Sequence, residues 1–98
     1  MKILWTSEAL ARLKEIKRYI VKNSPNRATQ FIQSIIDRTE VLVDNPLSGR
    51  MVPEISRSEI REIIFHNYRI VYRIKTDCIE ILTVFEGHML LQIDKLSV

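Results

Sequence analysis

The sequence predicts an α+β domain: an N-terminal strand and an α-helical hairpin come first, and a three-stranded antiparallel meander follows. Two patterns carry this prediction. Residues 7–43 repeat apolar side chains at helical spacing, interrupted only by "NSPN" at 23–26. Residues 59–85 contain three alternating segments joined by very short links, which is typical of antiparallel hairpins. We therefore expect both helices to cover one face of a small sheet.

The first half of the chain begins with a short strand at residues 3–5. Thr6 or Ser7 then supplies an N-cap oxygen for a helix that runs to about residue 22. Ser24 can cap the second helix, and Pro25 suits its first position. This helix is expected to end near residue 43, before the breaker "DNPLSG".

The meander is predicted at residues 59–65, 68–74 and 79–85. In its second strand, "YRIVYRI", the side chains at 68, 70, 72 and 74 alternate with Arg69, Val71 and Arg73. We expect the first set to face the helices and the two arginines to lie on the opposite, open face. Hairpin register decides whether Arg61 or Glu62 shares that face, and the sequence leaves both possible. The tail is compatible with a strand or a short helix.

Composition restricts the class of protein. Ninety-eight residues with 46% hydrophobic and 28% charged side chains indicate a single domain over residues 1–98 with a real core. A lone cysteine excludes a disulfide framework and a cysteine zinc cluster, and we expect no metal and no cofactor. The chain shows no signal region and no membrane-length apolar run, so a cytoplasmic location without membrane contact is expected.

Charge is unevenly distributed along the chain. Residues 1–50 hold nine basic and five acidic side chains, whereas residues 51–98 hold six and seven. The net charge is +3, and the basic bias of the first half allows an acidic partner.

Three segments resemble a known family: "NPLSGRMVPE" at 45–54, "IREIIFHNYRIVYRI" at 60–74 and "IEILTVFEGH" at 79–88. They are similar to the ParE-like branch of the RelE/ParE superfamily of toxins from type II toxin–antitoxin systems, over nearly the whole chain. The resemblance implies a small sheet with an α-hairpin. It also implies growth arrest through binding of DNA gyrase, and neutralisation by a cognate antitoxin in a hetero-oligomer.

Two other activities are compatible with the resemblance. RelE-like members cleave messenger RNA in the ribosomal A site, and a degenerate toxin would bind its antitoxin alone. In the nuclease alternative, two arginines hold the scissile phosphate, a glutamate acts as general base and a histidine acts as general acid. The residues for these roles are Glu54, Arg61, Arg69 and His88. No metal is required, and in the gyrase interpretation there is no active site.

Each of these residues also has a simpler structural explanation. Arg69 is expected to pair with a cross-strand acid such as Glu80. Glu54 is expected to pair with Arg50 or Arg61, and Gly49 to supply a positive φ after the second helix. His88 would then be an exposed turn residue.

Partner contacts are expected on two surfaces, the basic face of the first helix and the apolar residues near the C-terminus. Arg73 joins them as a cation that could be neutralised by an acidic group of a partner, by a phosphate, or by Glu62 or Glu80 of the same sheet. The candidates are Arg12, Lys14, Arg18, Arg73, Met89, Leu90 and Leu91.

Overall fold

The computed structural model describes residues 1–89, 91–96 and 98. The chain forms β1 (Lys2–Trp5), α1 (Ser7–Val21), α2 (Pro25–Glu40), β2 (Arg50–Met51), β3 (Ile60–Phe65), β4 (Tyr68–Ile74) and β5 (Cys78–Glu86). Short 3₁₀ turns occupy Val41–Val43, Pro46–Ser48 and Ile93–Lys95. The predicted α+β arrangement is confirmed, with the meander at β3, β4 and β5. The second helix tightens into a 3₁₀ turn after Glu40 and does not stay α-helical to residue 43.

The sheet has five strands in the order β1-β5-β4-β3-β2. The meander supplies its centre, and two further strands extend it. β1 pairs in parallel with β5, placing Ile3 opposite Ile79, although the helical hairpin and three strands separate them in the chain. β2 pairs antiparallel with β3 at the other edge. The two-residue β2 was not predicted, because it is too short to show an alternating pattern.

Capping residues fix where the helices begin. The Thr6 hydroxyl accepts a hydrogen bond from Ala9 N at 3.1 Å and donates to the Ile81 carbonyl at 2.8 Å. Thr6 therefore starts α1 and also ties it to the central part of β5. Ser24 accepts from Arg27 N at 3.3 Å at the start of α2, as predicted.

The first core lies between the two helices and the sheet. Tyr68, Ile70 and Tyr72 are buried there against Ile35 and Leu42, and Ile74 packs at its margin. The predicted orientation of these alternate positions of β4 is confirmed. The hydroxyl of the fully buried Tyr72 donates to the Pro46 carbonyl at 2.6 Å and accepts from Gly49 N at 3.0 Å. Tyr72 thus anchors the connection that leaves the second helix.

The opposite face of the sheet is also covered, so the prediction of an open face is wrong. A second core there contains Val52, Ile60, Val71, Leu82 and Leu96. The loop at residues 52–58 and the C-terminal segment close over it. The tail forms the 3₁₀ turn Ile93–Lys95 and directs Leu96 into this core.

A register shift in the meander helps to build this second core. Val71 lies opposite Thr83, but its neighbour Tyr72 lies opposite Ile81. Leu82 is therefore the extra residue of a β-bulge. It is buried in the second core, next to Val71 and Leu96.

Gly49 is required for space and not for a left-handed backbone. Its φ is −78°, so the predicted positive φ is wrong. A Cβ at this position would lie 2.6 Å from the Glu62 carbonyl oxygen and 2.6 Å from the Tyr72 hydroxyl. The chain passes so close to β3 and β4 here that only a glycine fits.

We predict that Gly49→Ala lowers the free energy of unfolding by about 2 kcal/mol, because the methyl group must displace backbone and a buried tyrosine. Urea unfolding measures the change. Gly87→Ala is the matched control, since a Cβ at Gly87 would meet its nearest atom, the Asn67 carbonyl oxygen, at 3.4 Å. Equal losses for the two variants would contradict the steric explanation.

Candidate functional site

Hairpin register decides which side chains of β3 lie beside Arg69. Arg69 pairs with Ile64, and Val71 pairs with Glu62. Glu62 therefore shares the face of Arg69. Arg61 lies opposite Tyr72, on the face that carries the helices, so it does not join Arg69 in one cationic patch. Its guanidinium donates to the carbonyls of Ser58 and Gly49, each at 2.9 Å.

Arg69 is buried, and carboxylates surround its guanidinium group. Its Nε donates to Glu62 Oε1 at 2.7 Å, and its Nη1 and Nη2 donate to the two oxygens of Glu54 at 2.9 and 2.8 Å. The guanidinium also lies 4.9 Å from the centre of the Phe85 ring. Only 7% of the residue is exposed, so the prediction that Arg69 faces solvent is wrong. The hydrogen bonds to Glu54 raise the pKa of Arg69 above its ordinary value, against the opposing effect of burial.

Glu62 is the most deeply buried charged residue of this site, with 1% of its surface exposed. One oxygen accepts from Arg69, and the other accepts from Arg50 Nε at 2.7 Å. Arg50, Glu62, Arg69 and Glu54 thus form a continuous ion-pair chain across the second face of the sheet. A buried carboxylate is tolerated when such partners satisfy its oxygens.

Glu54 ends this chain and fastens the covering loop to the sheet. The bidentate hydrogen bonds from Arg69 are the main reason that the pKa of Glu54 lies below its ordinary value. The expected ion pair of Glu54 therefore exists, but its partner is Arg69 and not Arg50 or Arg61. The expected pairing of Arg69 with Glu80 is also wrong. Glu80 lies opposite Arg73 and accepts from Lys75 Nζ at 3.4 Å.

His88 lies apart from this network. Its side chain is 75% exposed, and its Nδ1 is 3.6 Å from a carboxylate oxygen of Glu86. Within the described ranges, no hydrogen bond or ion pair joins His88 to Glu54 or Arg69. Of the four residues proposed for the nuclease alternative, the structure brings only Glu54 and Arg69 together.

The predicted partner-contact residues divide between the first helix and the C-terminal part of the chain. Arg12 is held by Glu8 at 3.2 Å and Glu15 at 3.0 Å, whereas Lys14 and Arg18 are exposed. Arg73 is partly buried, Met89 is 52% exposed and Leu91 packs beside the second core. Leu90 lies outside the described residues.

An apolar groove of about 240 Å³ runs beside these candidates, between α1 and the end of β5. Tyr19, Phe85 and Met89 line it, together with Arg12 and Glu15. Tyr19 and Phe85 were not predicted as surface contacts, because aromatic residues inside amphipathic patterns resemble core residues. The exposure of Tyr19 depends on where α1 lies over the sheet.

A sequence model of the family described as "ParE toxin of type II toxin-antitoxin system, parDE" matches residues 3–91. The chain belongs to this ParE toxin family. It is 40% identical over 89 residues to a protein of Sinorhizobium fredii (strain NBRC 101917 / NGR234) named "Putative toxin Y4kP", covering 89% of this chain and 88% of the relative.

A solved structure described as "Chromosomal ParDE TA system from P. aeruginosa" contains a chain with the same fold. The TM-score is 0.72 at 25% identity, over 88% of the present chain and 95% of the other. The present protein is thus a toxin of a ParDE-type toxin–antitoxin system, a family that implies an antitoxin partner.

Among residues 1–89, 91–96 and 98, no cluster of three or more His, Cys, Asp or Glu side chains could hold a metal ion. Across the same described ranges, no helix has the length and apolar character needed to cross a membrane.

We predict that Glu62→Gln destabilises the fold by about 3 kcal/mol, because it removes the negative charge between Arg50 and Arg69 in a buried site. Urea unfolding monitored by circular dichroism measures the loss. Glu59→Gln is the control: it removes a carboxylate from an exposed pair with Arg57 and should change stability only slightly. Similar results for both variants would mean that the buried chain contributes no more than a surface pair.

The lowered pKa of Glu54 predicts that part of the folding stability is lost in acid. Because its pKa is lower in the folded protein than its ordinary 4.5, its stabilising contribution is complete above pH 4.5. The contribution is lost as the pH falls through the lower folded-state value. We predict that Glu54→Gln reduces stability near neutral pH and flattens the acid limb of the stability profile. The exposed Glu40→Gln variant should keep the parent profile. An unchanged acid limb in Glu54→Gln would contradict the assignment.

Proposed function

We propose that this ParE toxin arrests bacterial growth by binding DNA gyrase, and that a cognate antitoxin neutralises it. One observation favours gyrase binding over messenger RNA cleavage: two carboxylates occupy the guanidinium group of Arg69. All three guanidinium nitrogens of Arg69 are hydrogen-bonded to Glu54 or Glu62. Family membership limits the alternatives, and this geometry favours a binding protein over a nuclease.

A phosphate-binding arginine needs free N–H groups directed toward its ligand. In Arg69 the outward-facing groups are already engaged by Glu54 in a bidentate pair. A phosphate could bind only by displacing Glu54. That displacement would bring the phosphate close to the negative charge of Glu62 on the same guanidinium.

The other nuclease roles are also poorly supported. A general base works best when its pKa lies near the working pH, but the pKa of Glu54 is lowered by Arg69. Arg61 lies on the other face of the sheet, and His88 pairs only weakly with Glu86. The geometry therefore offers no phosphate ligand flanked by an acid and a base.

Exposed contact surfaces support a toxin that acts by binding. The groove between α1 and β5 presents Tyr19, Phe85 and Met89, with the basic side chains of α1 beside it. Apolar exposure of this kind is typical of interaction sites. Lys14 and Arg18 extend the same helix as exposed cations, which suits an acidic partner surface.

The test is induced expression of the toxin in bacteria without an antitoxin, followed by two readouts in one culture. We expect gyrase cleavage complexes and a DNA damage response while translated messenger RNA stays intact. His88→Ala should remain fully toxic, because His88 does not line the groove beside α1 and makes no hydrogen bond or ion pair with Arg69 or Glu54 in the described part of the chain. Co-expression of the antitoxin should restore growth.

Two outcomes would overturn this proposal. Codon-registered breaks in messenger RNA that disappear in Arg69→Ala and His88→Ala, with both variants folded, would establish a ribosome-dependent nuclease. Normal growth at confirmed expression of the folded toxin would establish a degenerate toxin that binds only its antitoxin.

A further inference from the structure

A wide cleft lies away from the ion-pair chain and from the groove beside Tyr19. Its volume is about 610 Å³, and it opens between the first turn of α1, the end of β4 and the C-terminal 3₁₀ turn. Three cations line it, Arg73, Lys75 and Lys95, and two acids, Glu8 and Glu80. Apart from Arg73, which was named above as a partner contact, none of the described candidate residues lines this cleft.

Internal pairing neutralises only part of its charge. Glu80 accepts from Lys75 at 3.4 Å, and Glu8 pairs with Arg12 at 3.2 Å. Arg73 and Lys95 make no ion pair with any side chain of the described residues. The cleft therefore presents two positive charges that its own carboxylates do not match.

Two carboxylates lie close to Arg73. The first is its cross-strand neighbour Glu80, whose ion pair is with Lys75, and the second is Glu59. The pKa of Glu59 is lowered chiefly by a hydrogen bond from Arg57, and Arg73 adds only a minor contribution. Arg57 Nη2 lies 3.0 Å from Glu59 Oε2, so this acid is already paired. Arg73 therefore forms no ion pair among the described residues, whereas Arg69, on the same face of β4, pairs with Glu54 and Glu62.

Apolar side chains lie beside the two cations. Leu82 and Leu96 of the second core form the floor of the cleft and are only 2% and 5% exposed. Ala11 reaches the cleft from α1 and is exposed. A ligand that fits this lining carries carboxylates and aliphatic groups close together. A nucleic-acid backbone fits less well, because Glu8 and Glu80 would repel a continuous row of phosphates.

We propose that this cleft binds an acidic peptide segment, whose carboxylates pair with Arg73 and Lys95 while a small aliphatic side chain contacts the exposed Ala11 beside them. Lys75 contributes less, because Glu80 already holds it. The inference does not depend on gyrase as the target, since it concerns binding to the purified toxin.

The experiment uses the full chain and a fluorescein-labelled octapeptide of alternating alanine and glutamate, followed by fluorescence polarisation. Arg73→Gln with Lys95→Gln should weaken binding about tenfold, as expected for the loss of two partly exposed ion pairs. Lys22→Gln with Arg27→Gln is the matched control. It removes one lysine and one arginine from exposed positions near the turn between the helices, and it should leave the affinity unchanged.

Three further measurements distinguish binding in this cleft from a general attraction of acidic ligands to a basic protein. A peptide with glutamine in place of glutamate should bind at least tenfold more weakly, and a labelled DNA duplex should show no dependence on Arg73 or Lys95. Amide shifts in NMR spectra should centre on residues 73 and 95 when the acidic peptide is added. Because Lys95 is exposed, Lys95→Gln alone serves if the double variant unfolds.

The proposal is overturned if the control double variant weakens peptide binding as much as the cleft variant. Equal binding of the glutamine peptide would also overturn it. A DNA duplex that bound more tightly than the peptide, through Arg73 and Lys95, would assign the cleft to nucleic acid.

Discussion

The fold of the second half depends on a buried carboxylate between two arginines. Glu62 extends from β3 and accepts hydrogen bonds from Arg50 of β2 and Arg69 of β4. Through Arg69 the same charge reaches Glu54, which holds the loop at residues 52–58 over the sheet. Removing a carboxylate from water costs several kcal/mol, so this arrangement persists because both oxygens are fully satisfied.

This ion-pair chain makes a two-sided sheet possible in a short protein. The helices cover one face, and Val52 and Leu96 help to cover the other. The charged chain borders this second core and fixes the loop that brings in Val52. Leu82, the extra residue of the bulge in β5, adds to this core. A chain of this length gains from burying both faces, since small domains bury a smaller share of their surface.

The two arginines of "YRIVYRI" show that residue type alone does not define a role. Arg69 and Arg73 lie on the same face of one strand, and both matched the pattern expected for anion contacts. Arg69 serves as an internal counterion because Glu62 and Glu54 surround it. Arg73 lies at the other end of β4, beside an open cleft, where no described carboxylate pairs with it. Position along the strand separates a structural arginine from one available to a partner.

Local patterns in the sequence were enough to predict the fold class, the helical hairpin, the three meander strands and the face of β4 that packs on the helices. These features follow from local periodicity and from turn and capping residues. Each of these signals lies within a single segment of the chain. The strongest motifs also identified the toxin family.

Three features became apparent only in the folded molecule: the register that separates Arg61 from Arg69, the parallel position of β1 beside β5, and the cover on the second face. Glu54 and Arg69 were predicted as candidate-site residues, but the ion pair between them was not. Glu54 and Arg69 do meet, yet Glu62 was expected only as an alternative neighbour, and His88 lies apart. These outcomes depend on contacts between residues distant in the chain. Charge pairing in a folded protein is set by which carboxylates the packing brings near each arginine, and no local pattern encodes that choice.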